Sequence, residues 1–99
     1  MLDSLEEEVD MFSRHLEILQ LVIENGPIGI VKLSNETGHP HHKVRYSLRI
    51  LEEEELIEAT SQGAVATDQA EEFVAETNER LEEIVEKLES LKIEPEAVE

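Results

Sequence analysis

No cysteine occurs anywhere in the chain. That removes a disulfide framework and any thiolate metal centre, and it fits a reducing, cytoplasmic setting. Tryptophan is also absent, and the aromatic residues are Phe12, Tyr46 and Phe73 alone. With 33% of residues charged, so few rings would suit a disordered chain; the helical periodicity below argues against that. No apolar run approaches the roughly 20 residues that cross a bilayer, so no membrane partner is expected. The opening MLDSLEEEVD is acidic, unlike a signal peptide or an Arg-rich transit sequence. Basic residues are scarce as well: eight, against 25 acids, for a net charge of −17 in 99 residues. That length makes one small domain with one modest core.

Such an excess of acid repels itself in dilute salt. In molar salt the Debye length falls to about 3 Å and most of the penalty vanishes. Only four residues are Lys, whereas hyperthermophile chains are enriched in Lys as well as Glu. A halophilic cytoplasm is therefore the economical expectation. Of the acids, 22 are Glu and three are Asp, so helix preference explains part of the bias.

The scarce positive charge is not spread evenly. Residues 30–51, IVKLSNETGHPHHKVRYSLRIL, hold four bases (Lys32, Lys43, Arg45, Arg49) and one acid (Glu36), a net +3. The remainder holds four bases and 24 acids, a net −20. The stretch reads as a short helix, a turn at Gly38 and a second helix opened by Pro40, over about residues 40–54. In that second helix Val44, Leu48 and Leu51 form one apolar stripe. At about 100° per residue the opposite face holds His42, Tyr46 and Arg49, with Arg45 beside them and Lys43 on the other flank. One face is built to bury. The other carries hydrogen-bonding groups, positive charge and a ring, as a helix entering a DNA major groove requires. On this reading Arg45 and Arg49 read bases while Lys32 and Lys43 touch phosphate. The plain alternative is a charged face that is merely solvated.

Around this hairpin the chain is simply organised. Residues 4–24 read as a long helix, with Ser4 and Glu7 as a capping box. Its stripe runs Leu5, Val9, Phe12, Leu16, Leu19, Ile23, and Met11, Ile18 and Val22 widen it beyond one seam. Gly26-Pro27 stops it, and Ile28 can pair as a very short strand. The short helix, residues 30–37, would contribute Ile30, Leu33 and Val31 to the core. Residues 56–60 and 64–66 read as a small β-hairpin around Ser61-Gln62-Gly63. Thr67 then caps a last helix reaching about Leu91. Its stripe is Ala70, Val74, Thr77, Leu81, Ile84, Leu88, Leu91, with Glu76–Arg80 and Glu83–Lys87 as i, i+4 pairs. That helix is longer than one small core needs. We therefore expect a homodimer in which Leu2, Leu5 and Val9 pack with Leu81, Ile84, Leu88 and Leu91, from the same or the partner chain. The expected organisation is one domain over residues 1–93, with a dimerisation helix over about 67–92, and a flexible tail over 94–99.

Sharper chemistry has little support. His39, His41 and His42 cluster, but without Cys and with His15 distant they do not match the spacing of a zinc site. His39 is read as closing the turn. No nucleophile elbow, phosphate loop or H-E-x-x-H occurs, so neither catalysis nor a metal or other cofactor is expected.

The order helix, short strand, helix, turn, helix, hairpin, long helix resembles the winged helix-turn-helix of prokaryotic transcriptional regulators, over about residues 8–74. Gly38, Val44, Leu48, Leu51, Leu56, Ile57 and Thr67 stand where its pattern wants them. The whole chain, above all GIVKLSNETGHPHHKVRYSLRILEEEELIEAT, is similar to a small archaeal family of predicted winged-helix regulators found in haloarchaea. The resemblance implies a mainly α fold with a small β-hairpin and extended terminal helices. It also implies a dimeric, sequence-specific regulator of double-stranded DNA, with His42, Arg45, Tyr46 and Arg49 in the major groove. Two positions depart from the pattern. Glu55 stands where a left-handed Gly usually ends the recognition helix, and the wing tip has no Lys or Arg. The alternative is a winged helix used for protein–protein contact, which the net charge favours because an acidic body is repelled by phosphate.

Overall fold

A computed structural model describes residues 1–98, in the order α1 (Leu2–Asn25), α2 (Ile30–Thr37), α3 (His41–Glu53), β1 (Ile57–Thr60), β2 (Gly63–Ala66) and α4 (Ala70–Ser90). The chain is mainly helical, with one antiparallel hairpin and long helices at both ends. Three helices followed by a hairpin make a winged-helix-like arrangement. In the tail, where fraying is expected, residues Pro95–Val98 form a single 3-10 turn; Glu99 lies outside the described residues.

The core forms where the helical stripes meet. From α1 come Ile18, Leu19 and Val22; from α2, Leu33; from α3, Val44 and Leu51. Leu56, Ile57 and Ala64 of the hairpin region close it, with Ala70 at the start of α4. Of the residues that widen the α1 stripe, Ile18 and Val22 are buried and Met11 is half-buried; of the stripe itself, Leu19 is buried. Much of the stripe itself, Leu5, Val9, Phe12 and Ile23, stays exposed. Ile28 pairs with Ala64 as an isolated bridge, which ties the α1–α2 link to β2. This pairing explains Gly63. Its φ is 127°, and a Cβ there would stand 2.6 Å from the Ile28 carbonyl carbon.

Several local expectations are corrected. α1 begins at Leu2, so Ser4 lies inside its first turns and no side chain caps it. Pro40 is the residue just before α3 rather than its first residue, with its carbonyl accepting from Val44 N–H at 3.1 Å. Val31 points to solvent, leaving Leu33 as the buried residue of α2 with Ile30 packed beside it. Thr67 does not cap α4, which starts three residues later. Its hydroxyl instead donates to the Glu55 carbonyl at 2.7 Å and accepts from Gln69 N–H. Neither Glu76–Arg80 nor Glu83–Lys87 closes into an ion pair; near the end of α4, Lys92 pairs with Glu89 at 3.1 Å. Exposed pairs of this kind contribute little in any case.

Candidate nucleic-acid interface

The geometry of α3 is set at both ends. At its start, the α2–α3 turn is closed by Gly38 at φ 78°, the left-handed region that glycine reaches without steric cost. Ser34 Oγ donates to the His39 carbonyl at 2.6 Å, and His39 N–H donates to Thr37 Oγ1 at 3.2 Å. His39 also reaches α1, its Nε2 lying 2.8 Å from Glu17 Oε1. The histidine expected to close the turn does so, and also ties it to α1.

At its end, α3 stops in a Schellman motif. Leu56 N–H donates to the Leu51 carbonyl at 3.0 Å and Glu55 N–H to the Glu52 carbonyl at 2.9 Å. Leu51 and Leu56, the two residues spanned by the longer bond, are both buried. The left-handed position is Glu55, at φ 62°. The helix therefore does not run on through the glutamates. It ends where a glycine would end it.

Between those ends α3 buries Val44 and Leu51, with Leu48 half-buried. Its outer surface carries His42, Arg45, Tyr46 and Arg49, which line one shallow depression. The Arg49 guanidinium carbon lies 5.2 Å from the centre of the Tyr46 ring, within cation–π range. Lys43 is exposed on α3 but outside this group. Lys32 is exposed on α2, beside Val31, Asn35 and Glu36, and forms a separate positive point. Arg45 and Arg49 also border a second groove, between α3 and the hairpin, whose floor includes Leu48, Ile57 and Ala64. Among the described residues no three His, Cys, Asp or Glu side chains gather as a ligand set. No helix there is long and apolar enough to cross a membrane.

Behind that outer face lies a buried polar cluster that the motifs above do not include. Ser47 is fully buried, at 0% exposure, one residue from Tyr46. Arg14 Nε–H donates to Ser47 Oγ at 2.9 Å, and His15 Nδ1 lies 2.7 Å from the same oxygen. His15 is 8% exposed, and its ring centre is 5.9 Å from that of Tyr46. Burial, and then the nearby Arg14 charge, lower the His15 pKa below its ordinary 6.5. A signal for this cluster exists in the sequence. Ser47 falls three residues after Val44 and four before Leu51, on the buried stripe. A hydroxyl there must find a partner.

No protein-family model matches the sequence, and no curated protein matches it.

The residues expected from their stripes to pair two copies are left open by the single chain. Leu2, Leu5, Val9, Ile84, Leu88 and Leu91 are exposed, and Leu81 is half-buried. On α4 burial fades along the helix, from Ala70 at 1% to Leu91 at 68%. Near the core, α4 meets α1 across a groove lined by Leu16, Leu19, Ile23, Val74 and Thr77.

Proposed function

We propose that this chain is a sequence-specific, double-stranded DNA-binding regulator, acting as a homodimer with α3 in the major groove. The observation that carries the reading is the grouping of His42, Arg45, Tyr46 and Arg49 on one exposed face of a helix whose other face is core. Arg offers two donors in the fork that guanine O6 and N7 accept. Arg45 and Arg49 are one turn apart and serve as the base readers, with Tyr46 as a ring against base or sugar. Lys43, and Lys32 on α2, contact phosphate and fix the register. The exposed apolar stripes of α1 and α4 pair two copies, which places two reading helices on successive major-groove faces of a partly palindromic site. The winged-helix-like order of helices and hairpin supports the same reading. A salty cytoplasm also explains how so acidic a body approaches DNA, because screening weakens the repulsion.

Binding of mixed-sequence duplex DNA over a range of KCl concentrations tests this. Wild type should bind with an affinity that falls as salt rises. Lys43→Ala should weaken all sequences alike and reduce the salt slope by about one ion. If duplex DNA is not bound at any salt concentration, the protein-contact alternative takes its place. That alternative draws on an observed feature: Glu52, Glu53 and Glu54 stand exposed at the end of α3.

A further inference from the structure

We propose that Arg14, His15 and Ser47 form a proton-sensitive latch through which α1 sets Tyr46 and Arg49 on the outer face of α3. Its purpose rests on the DNA-binding reading; its existence does not.

Hydrogen-bond arithmetic carries the proposal. Arg14 Nε–H can only donate, so Ser47 Oγ accepts from it. The Ser47 hydroxyl proton then needs an acceptor, and the partner within reach is His15 Nδ1 at 2.7 Å. The pairing is complete with a neutral imidazole protonated on Nε2. No buried side-chain nitrogen or oxygen among the described residues is then left without a partner. Protonating Nδ1 turns that acceptor into a donor. Two donors now converge on one hydroxyl, and the Ser47 O–H loses its acceptor at a fully buried position. Such a loss is costly.

The charges around His15 push the same way. On α1 its neighbour is Arg14; Glu17, two residues on, is paired with His39, and no acid stands three or four residues from His15. On α3 the ionisable groups nearest this side are His42, Lys43, Tyr46 and Arg49, none of them acidic. Strand β2 has no ionisable residue, and Lys32 and Glu36 of α2 are exposed on its outer side. α4 meets α1 along Leu16, Leu19, Gln20 and Ile23. An imidazolium at this position would therefore gain no counter-ion. Burial and the Arg14 charge already hold its pKa low, so the latch is closed at neutral pH and opens on acidification. The consequence reaches the reading face directly. Ser47 follows Tyr46 in the chain, the His15 ring lies 5.9 Å from the Tyr46 ring, and the Arg49 guanidinium lies over that same ring.

The chain supplies its own probe, since Tyr46 is its one tyrosine and it has no tryptophan. Tyrosine emission of the DNA-free protein in high salt is followed from about pH 8 to about pH 5, the range in which histidine titrates. Wild type should show a step with a midpoint below 6.5, the ordinary value for His15. The step should survive in His42→Gln, which removes the other nearby imidazole. It should vanish in His15→Asn, whose amide oxygen takes the place of Nδ1 and cannot be protonated. No step in wild type, a step that persists in His15→Asn, or one lost in His42→Gln, overturns the latch. Should His15→Asn not fold, histidine ring NMR on wild type decides. The His15 and Tyr46 resonances must titrate together, and independent midpoints contradict the proposal. In a DNA-binding arm, acidification should weaken wild type about three- to tenfold more than His15→Asn. Absence of DNA binding at every pH would remove the proposed function, while the emission titration would still decide the latch.

Discussion

Glu55 holds φ 62° at the C-terminal stop of α3, a conformation that costs a side chain with a Cβ about 1–2 kcal/mol. The Schellman bonds from Leu56 and Glu55 and the buried Leu51–Leu56 pair impose it. Glu55→Gly should therefore stabilise the fold by about 0.5–1 kcal/mol after the added freedom of the unfolded chain is counted. A rise in Tm of about 2–8 °C would register this in a thermal melt; a fall would show that the Glu55 side chain is held by something other than strain. The Thr67 bond to the Glu55 carbonyl involves backbone on that side and survives the change. Gly63 runs the opposite way. Gly63→Ala adds a left-handed penalty to a clash with the Ile28 backbone. It should cost at least about 2 kcal/mol, read as a lower denaturant midpoint with an unchanged slope. The stop at Glu55 is legible only through the resemblance, because nothing in Glu-Glu-Glu-Glu itself marks one residue as left-handed.

At the scale of elements, what is legible follows from how strong the local signal is. The short helix Ile30–Thr37, the Gly38 turn and the α3 stripe rest on period and turn chemistry, and all three are found in the structure. The ends of helices are less well read. Ser4 and Thr67 are good capping residues by type, yet α1 starts before one and α4 after the other. Thr67 Oγ1 donates to the Glu55 carbonyl and still accepts from Gln69 N–H, but Asp68 and Gln69 form a turn and the helix proper begins only at Ala70. The grouping of His42, Arg45, Tyr46 and Arg49 is legible from the helical period alone. The cluster behind it is not, because Arg14 and His15 meet Ser47 only when α1 packs on α3. That packing has a consequence for stability. His15 has a lower pKa in the fold than in the unfolded chain, so the unfolded chain binds the proton more readily. Its stabilising effect is therefore full above about pH 6.5 and is lost as pH falls through the lower folded value. Denaturant unfolding should show stability declining over this acid range, and His15→Asn should flatten the part due to this group. An equal decline in both proteins would assign it to other groups.

The whole molecule is elongated, 61 × 28 × 20 Å, with a radius of gyration of 16.6 Å. A compact chain of this length would have about 13 Å. The difference comes from long helices that outrun the core and leave Leu2, Leu5, Val9, Ile84, Leu88 and Leu91 open to solvent. Apolar surface of this extent in regular stripes calls for a partner, and the flanking glutamates make salt favour association. Sedimentation in molar KCl should give about twice the 11.3 kDa chain mass, and Ile84→Glu with Leu88→Glu should give a folded monomer. A wild-type monomer in molar salt would leave the stripes without the second copy. The central claim, that α3 reads DNA sequence, is tested most directly by selection from random duplex DNA at high KCl, run with wild type and with Arg45→Ala/Arg49→Ala. Wild type should enrich a partly palindromic motif with half-sites roughly 34–36 Å apart, or a multiple of that. The double variant should lose the preference at the base pairs the two arginines read, each true bidentate contact being worth about 1–3 kcal/mol. No enriched motif in wild type, or the same motif enriched equally by the variant, would contradict it.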